Sequence, residues 1–129
     1  MMQFTTWTRR SRRARERGVA AVEFALIVPV LMSIVIGIVE FGWAWNYRTQ
    51  LNNATQVAAR SYSLDRDWNV ARANVTGLAP TAAVTKSLDC TATTAGSAVT
   101  ITTTVTRPTL TNLFGTSFTY RARGVAQCN

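Results

Sequence analysis

The chain has 129 residues and a net charge of +8, with two cysteines and no histidine. This length is enough for one membrane helix and one small domain. The chain has no histidine base, no paired carboxylates and no phosphate-binding glycine loop, so nothing in it is arranged for catalysis. Two cysteines without histidine also give too few ligands for zinc. We therefore expect a protein that is not an enzyme and holds no cofactor.

The first 18 residues form a basic leader. Six arginines against Glu16 give this leader a charge of +5, and residues 19–129 carry the remaining +3. Such a cluster can bind nucleic acid, can be solvated disorder, or can hold the N-terminus in the cytoplasm by the positive-inside rule. No nucleic-acid module follows, so we expect no nucleic-acid partner and favour the positive-inside rule. Residues 1–17 lack apolar periodicity, which predicts a flexible leader.

An apolar segment follows from Val19 to Phe41. Its 23 residues would form a helix about 35 Å long, which is enough to cross a hydrocarbon core of about 30 Å. Between Phe24 and Val39, eleven strongly apolar side chains contribute about −3 to −7 kcal/mol to insertion, while Glu23 and Glu40 lie near the ends of the segment, where a charge costs less. A buried helix of a soluble protein would have a polar face, and a signal peptide would have small residues after the apolar run. The segment is therefore predicted to span a membrane once.

The same helix is predicted to continue to Ser63. Pro29 is expected to bend it within the membrane. Trp43, Trp45 and Tyr47 are predicted to form an aromatic belt at the membrane surface. Beyond the belt the helix is predicted to be amphipathic, because apolar residues recur near helical spacing. These residues are Phe41, Ala44, Leu51, Ala54, Ala58 and Tyr62, with Arg48, Asn52, Thr55 and Gln56 on other faces.

A short second helix is predicted from Trp68 to about Val75. Asp65 or Asp67 would cap its N-terminus, and Gly77 would end it. Trp68, Ala71 and Val75 would then face inward. This helix and the strands that follow make the predicted domain α+β in class.

Three strands are predicted after it, over residues 82–94, 98–106 and 118–126, with a turn at residues 95–97. In the middle strand Val99, Ile101, Thr103 and Val105 alternate with threonines, so one face is apolar. A small antiparallel sheet of this kind needs a cover for its apolar face. The amphipathic half of the long helix is the expected cover, which divides the chain into a leader (1–18), a membrane half-helix (19–45) and a domain (46–129).

One sequence pattern links these features. Residues 18–26 read GVAAVEFAL, and Pro29 and the sequence IVEFG at residues 38–42 follow. A basic leader that ends in glycine, before an apolar helix whose fifth residue is glutamate, is similar to a type IV prepilin. The finer pattern resembles the TadE-like family, pilin-like proteins of the tight-adherence (Flp) pilus machinery of bacteria. The motifs that carry this resemblance cover residues 17 to about 60.

The resemblance implies a type IV pilin-like fold and specific site residues. A prepilin peptidase would cut after Gly18 and leave Val19 as the new N-terminus, and Glu23 and Phe24 would act in assembly. Glu23 lies four residues after Val19, so the new amine and the carboxylate would share a helix face and be less costly paired than alone. Alternatively, Glu23 only favours the helix N-terminus through the macrodipole. The implied partners are the peptidase, other pilin subunits, an inner-membrane assembly platform and the membrane.

The two cysteines, Cys90 and Cys128, lie in the part of the chain predicted to be outside a bacterial inner membrane. That compartment is oxidising, and a small domain with a thin core gains from a disulfide. Closing this loop of 38 residues would contribute about 2 to 4 kcal/mol. We therefore predict a disulfide between them.

The predicted function is that of a pseudopilin or minor pilin that takes part in assembling a pilus used in surface adhesion. Its first rival is an uncleaved single-pass inner-membrane protein whose outer domain binds an envelope component. The second is a membrane-anchored nucleic-acid binder that uses the arginine leader, which would require the leader to persist in the mature protein.

Overall fold

The structure is a computed structural model that describes residues 8–112 and 115–129. The elements along this part of the chain are α1 (Thr8–Asp65), α2 (Trp68–Thr76), β1 (Ala83–Lys86), a 3₁₀ helix (Ala92–Thr94), β2 (Ala98–Pro108) and β3 (Ser117–Gln127). The predicted α+β class, with a long N-terminal helix and a small antiparallel sheet, is confirmed. The chain divides into two compact units, residues 1–39 and residues 40–129.

The first unit contains the N-terminal part of α1. This helix begins at Thr8, so the prediction of a flexible leader is wrong for residues 8–17, and residues 1–7 lie outside the described residues. Arginine, alanine and glutamate are good helix formers, and neither proline nor glycine interrupts the chain before Gly18. The helix therefore extends toward the N-terminus beyond the predicted start at Val19. It also continues through Pro29.

Residues 19–39 carry large apolar side chains, which are exposed on every side of the helix. The helix is long and apolar enough to cross a membrane, and its apolar window is 0% buried within the described chain. Since a helix that is apolar all round needs apolar surroundings, this segment fits the predicted membrane anchor. The exposed side chains are Val19, Val22, Phe24, Leu26, Ile27, Val30, Leu31, Met32, Ile34, Val35, Ile36, Ile38 and Val39.

The second unit is built on a three-stranded antiparallel sheet with the order β1-β2-β3. In β2 the residues Val99, Ile101, Thr103 and Val105 are buried, and the threonines between them are only partly covered. The predicted alternation of an apolar and a hydroxyl-rich face is therefore confirmed. Both β2 and β3 end within two residues of the predicted bounds.

The C-terminal part of α1 covers the apolar face of this sheet, as predicted. Leu51, Ala58 and Tyr62 are buried in the core, whereas Phe41, predicted on the same face, is exposed. Thr55 was expected on another face but is fully buried, because its hydroxyl lies 3.0 Å from that of Thr103 and is satisfied there.

The closest approach between α1 and the sheet occurs at Gly124 in β3. A Cβ atom at this position would lie 2.3 Å from the carbonyl oxygen of Thr55 and 3.1 Å from the Cβ of Ala59. Glycine is therefore required here, because any side chain would collide with the helix backbone. Small residues on both elements let the helix lie directly against the strand.

The helix α2 follows the predicted pattern. Asp67 is its N-cap, and the carboxylate of Asp67 accepts hydrogen bonds from the backbone N–H groups of Asn69 and Val70. Gly77 is the C-cap, and both Ala71 and Val75 are buried. Trp68 packs at the edge of the core, where its ring contacts Tyr62 edge-on with centroids 5.6 Å apart.

The predicted first strand is wrong in length, because β1 ends at Lys86 rather than at Thr94. The chain then leaves the sheet, and Thr94 uses its hydroxyl to bond the backbone N–H of Thr91 and the carbonyl of Asp89. Such local side-chain bonds compete with strand pairing and stabilise the short 3₁₀ helix instead. The predicted turn at residues 95–97 therefore joins this 3₁₀ helix to β2.

Cys90 and Cys128 lie together at the end of the domain. Their sulfur atoms are 1.95 Å apart and their Cα atoms 5.3 Å apart, which is the arrangement of a disulfide. Next to this pair, the backbone N–H of Cys128 donates to the carbonyl of Ser97, and the backbone N–H of Asn129 donates to the carbonyl of Ser63. The last residues of the chain are thus hydrogen-bonded both to the turn before β2 and to α1.

The contact at Gly124 gives a test of the fold. We expect Gly124→Ala to lower the free energy of unfolding by about 1 to 3 kcal/mol, since the new Cβ forces the helix and strand apart. The measurement is urea unfolding of the full-length protein in detergent, followed by circular dichroism. Gly42→Ala is the matched control, because a Cβ there meets nothing within 4 Å and alanine favours the helix. Equal losses of stability in the two variants would contradict the packing described.

Candidate functional site

The predicted processing and assembly residues Gly18, Val19, Glu23 and Phe24 all lie on α1 and are exposed. A Cβ added at Gly18 would meet nothing within 4 Å, so packing within this chain does not require glycine there. Phe24 exposes 69% of its side chain, although burial of an aromatic ring is strongly favourable. Packing within the described chain therefore explains neither the glycine at position 18 nor the exposed ring at position 24.

The helix brings Val19 and Glu23 to the same face, one turn apart. The predicted ion pair needs a free amine on Val19, which exists only after the chain is cut. The pair therefore remains a prediction. The surroundings of Glu23 are apolar, since Val22, Phe24, Ile27 and their neighbours are exposed beside it.

Residues 18–39 form an apolar contact surface rather than a metal or catalytic site. Among the residues that the structure describes, no three histidine, cysteine, aspartate or glutamate side chains come together as a metal site. The exposed apolar segment of the helix can insert into lipid or pack against other apolar helices, because almost all of its side chains are apolar. Its single carboxylate, Glu23, can add one directional contact.

The role of Glu40, near the C-terminal end of the apolar segment, was not predicted from the sequence. Its side chain is 3% exposed, and its two oxygens accept hydrogen bonds from the backbone N–H of Leu110 at 3.1 Å and from the hydroxyl of Thr111 at 2.7 Å. A carboxylate is costly to bury unless hydrogen-bonded, and these two donors supply the compensation. The carboxylate thereby fastens the chain after β2 to the start of the second unit.

The sequence indicates only part of the role of Glu40. A lone glutamate directly after an apolar run is conspicuous, but its partners lie 70 and 71 residues further along the chain. No local pattern identifies a contact at that separation. The position of Glu40 after an apolar run therefore marks it as unusual but does not identify its hydrogen-bond partners.

The prediction that Tyr47 belongs to an aromatic belt is wrong. Tyr47 is 7% exposed and contacts Tyr120 edge-on with ring centroids 5.1 Å apart, while Trp45 stays exposed. The guanidinium of Arg107 lies 4.6 Å from the Tyr47 ring centroid, in cation–π geometry. Burial raises the pKa of Tyr120, because the phenolate form is poorly solvated there. These tyrosines belong to the core of the domain.

A second polar cluster lies beside Cys90. Lys86 donates to the carboxylate of Asp89 and to the Tyr62 hydroxyl, which itself donates to Asp89 at 2.9 Å. The hydrogen bond from Lys86 lowers the pKa of Asp89, and the same bond raises the pKa of Lys86. Since the side chain of Asp89 is 68% exposed, we assign the cluster to positioning the loop that carries Cys90 rather than to chemistry.

An exposed apolar helix segment that is long enough to cross a membrane, together with a small domain in which the same helix covers a three-stranded antiparallel sheet, defines an α+β protein with a candidate membrane anchor. The family model described as TadE-like protein matches residues 18–60. The resemblance predicted from the sequence is therefore confirmed for the segment that contains Gly18, Glu23 and Glu40. TadE-like proteins are structural proteins associated with the tight-adherence pilus, not enzymes. No curated protein and no solved structure matches the chain.

Glu40 yields a local test. We expect Glu40→Ala to speed hydrogen exchange at the Leu110 amide by at least about tenfold, because a hydrogen bond to a charged acceptor contributes about 1.5 to 3 kcal/mol. Glu40→Gln keeps an acceptor oxygen and should lie between alanine and wild type. The measurement is hydrogen exchange read by mass spectrometry on the full-length protein in detergent. Unchanged exchange at Leu110 in Glu40→Ala would show that the carboxylate does not hold this loop.

Proposed function

We propose that this protein is a pseudopilin or minor pilin of a tight-adherence pilus system. It is cut after Gly18 by a prepilin peptidase and takes part in pilus assembly through its apolar helix. The observation that carries the proposal is the family match, which begins at Gly18, the residue predicted to end the leader. The exposed apolar surface that follows supports it, because this surface has no cover within the described chain.

The orientation follows from charge. Residues 1–18 carry a net charge of +5, and the dozen residues that follow Phe41 hold a single basic residue, Arg48. By the positive-inside rule the leader stays in the cytoplasm, and the domain lies outside the inner membrane. In that oxidising compartment Cys90 and Cys128 form the disulfide that their geometry permits.

Processing requires the helix to open at the cleavage site. The Gly18–Val19 peptide bond lies inside α1, where its carbonyl and N–H groups are engaged in the helix. Glycine weakens a helix by about 0.5 to 1 kcal/mol relative to alanine, so Gly18 lowers the cost of opening the helix at the cleavage site. Hydrolysis leaves a carboxylate on Gly18 and a free amine on Val19, with residues 1–18 released.

The new amine gives Glu23 its partner. In lipid or in a helix bundle an isolated carboxylate is costly, and pairing with a nearby ammonium group offsets much of that cost. Glu23 can pair with Val19 of its own chain, or with the same amine of a neighbouring subunit. Pairing between subunits would fix their axial register, and Phe24 beside it would supply apolar contact area.

One observation favours the rival, an uncleaved membrane protein whose outer domain binds an envelope component. The helix α1 runs from Thr8 through Gly18 without interruption, so the uncut chain has a regular structure across the cleavage site. In that case Gly18 would have no special role, and the protein would keep its basic leader. The two functions therefore differ in the fate of residues 1–18.

Gly18→Val separates them. We expect wild-type protein to lose residues 1–18 in cells that contain the prepilin peptidase, and Gly18→Val to keep them, because a branched side chain blocks close approach of the protease to the backbone. Migration of a C-terminally tagged protein on immunoblots, in cells with and without the peptidase, is the readout.

Gly42→Val is the control, since neither glycine has a neighbour within 4 Å that a Cβ would meet. It should be processed as wild type. If wild type and Gly18→Val migrate identically in cells with an active peptidase, the chain is not a prepilin and the rival function stands.

A further inference from the structure

β3 forms one edge of the sheet and pairs with β2 on one side only. The backbone groups that face β2 belong to even-numbered residues, as shown by Cys128, whose N–H donates to Ser97 and whose carbonyl accepts from Gly96. Because backbone groups alternate in direction along a strand, those of Arg121, Arg123 and Val125 face the open edge. This edge is eleven residues long.

A groove of about 520 Å³ lies along the C-terminal part of this edge. One wall is a face of α1 with Gln56, Val57, Arg60 and Leu64, and the other is the end of β3 around Val125. The two apolar side chains on its α1 wall are more than half exposed, with Val57 at 56% and Leu64 at 59%. An apolar groove beside an open strand edge is the arrangement that accepts an added strand.

Two hydrogen bonds with α1 already involve backbone groups along this edge or just after it. The side-chain amide of Gln56 donates to the carbonyl of Arg123 at 3.2 Å, and the N–H of Asn129 donates to Ser63 at 3.2 Å. Between these two contacts, no hydrogen bond from the described residues reaches the outward N–H and carbonyl of Val125. This part of the edge is therefore open for pairing.

The charges select the partner. Arg60, Arg121 and Arg123 are exposed and form no ion pair with the described residues. Residues 40–129 hold eight basic and four acidic side chains, which gives this unit a net charge of +4. Antiparallel pairing of two β3 strands centred on residues 121–123 would bring the Arg121 and Arg123 side chains of two copies together, and like charges across a strand pair are destabilising. An acidic strand from another protein suits the surface better.

We propose that the open edge of β3 and its groove bind an extended acidic segment of another protein as a fourth strand. Even-numbered side chains of β3 face α1, and odd-numbered ones point to the opposite, exposed face. A strand that alternates apolar and acidic residues would therefore place its apolar side chains against Val57 and Leu64. Its carboxylates would lie on the face that carries Arg121 and Arg123. This inference goes beyond the proposed function and does not depend on cleavage at Gly18.

The test uses the full-length protein in a non-ionic detergent and a short fluorescein-labelled peptide that alternates valine with glutamate. We expect saturable binding by fluorescence anisotropy that weakens as salt rises, and no binding of the matched valine–lysine peptide. Val125→Pro removes the outward N–H without removing a bond to β2, and should weaken binding at least about tenfold. Val125→Thr keeps the N–H and is the control.

A second arm does not depend on any variant folding correctly. N-methylation of alternate residues on one edge of the valine–glutamate peptide blocks backbone pairing on that edge and leaves its side chains unchanged. One of the two N-methylated edges should lose binding to the wild-type protein, and the other should keep it. Failure of the acidic peptide to bind, equal binding of the lysine peptide, equal effects of the two Val125 variants, or equal effects of the two methylation patterns would each overturn the proposal.

Discussion

The second unit depends on the direct contact between α1 and β3 at Gly124. Because this residue has no side chain, the backbone of the strand can approach the carbonyl of Thr55, and Ala59 fits beside it. At that distance the hydroxyls of Thr55 and Thr103 reach each other, so a buried polar pair is satisfied in the middle of an otherwise apolar core. The same approach places Ser63 within hydrogen-bond distance of Asn129, next to the Cys90–Cys128 pair.

This contact gives one helix two different surroundings. Residues 47–62 of α1 are covered by the sheet, which buries Tyr47, Leu51 and Ala58 among others. Residues 19–39 carry large apolar side chains that no described residue covers. Apolar area of that size is not stable in water, so it needs lipid or other helices. Glu40 begins the second unit directly after residues 19–39, and its carboxylate accepts hydrogen bonds from Leu110 and Thr111, which suits a polar, protein-lined position.

Features set by local pattern were predictable from the sequence. The apolar segment, the cap of α2 at Asp67, and the alternation in β2 each depend on neighbouring residues, and each agrees with the structure. Features set by distant contacts were not. The burial of Tyr47 depends on Tyr120, and that of Glu40 on the loop after β2. The early end of β1 reflects threonine side chains that bond their own backbone, which strand propensity alone does not reveal.

The central claim is that lipid covers residues 19–39 of α1 while the sheet covers residues 47–62. Hydrogen exchange of the full-length protein in lipid nanodiscs, measured at increasing urea concentrations, tests it most directly. If the claim is correct, backbone amides of residues 24–39 stay protected at urea concentrations at which those of residues 51–62 exchange freely, because unfolding of the domain does not remove the lipid. Rapid exchange of residues 24–39 without urea, or loss of their protection together with that of residues 51–62, would contradict the account.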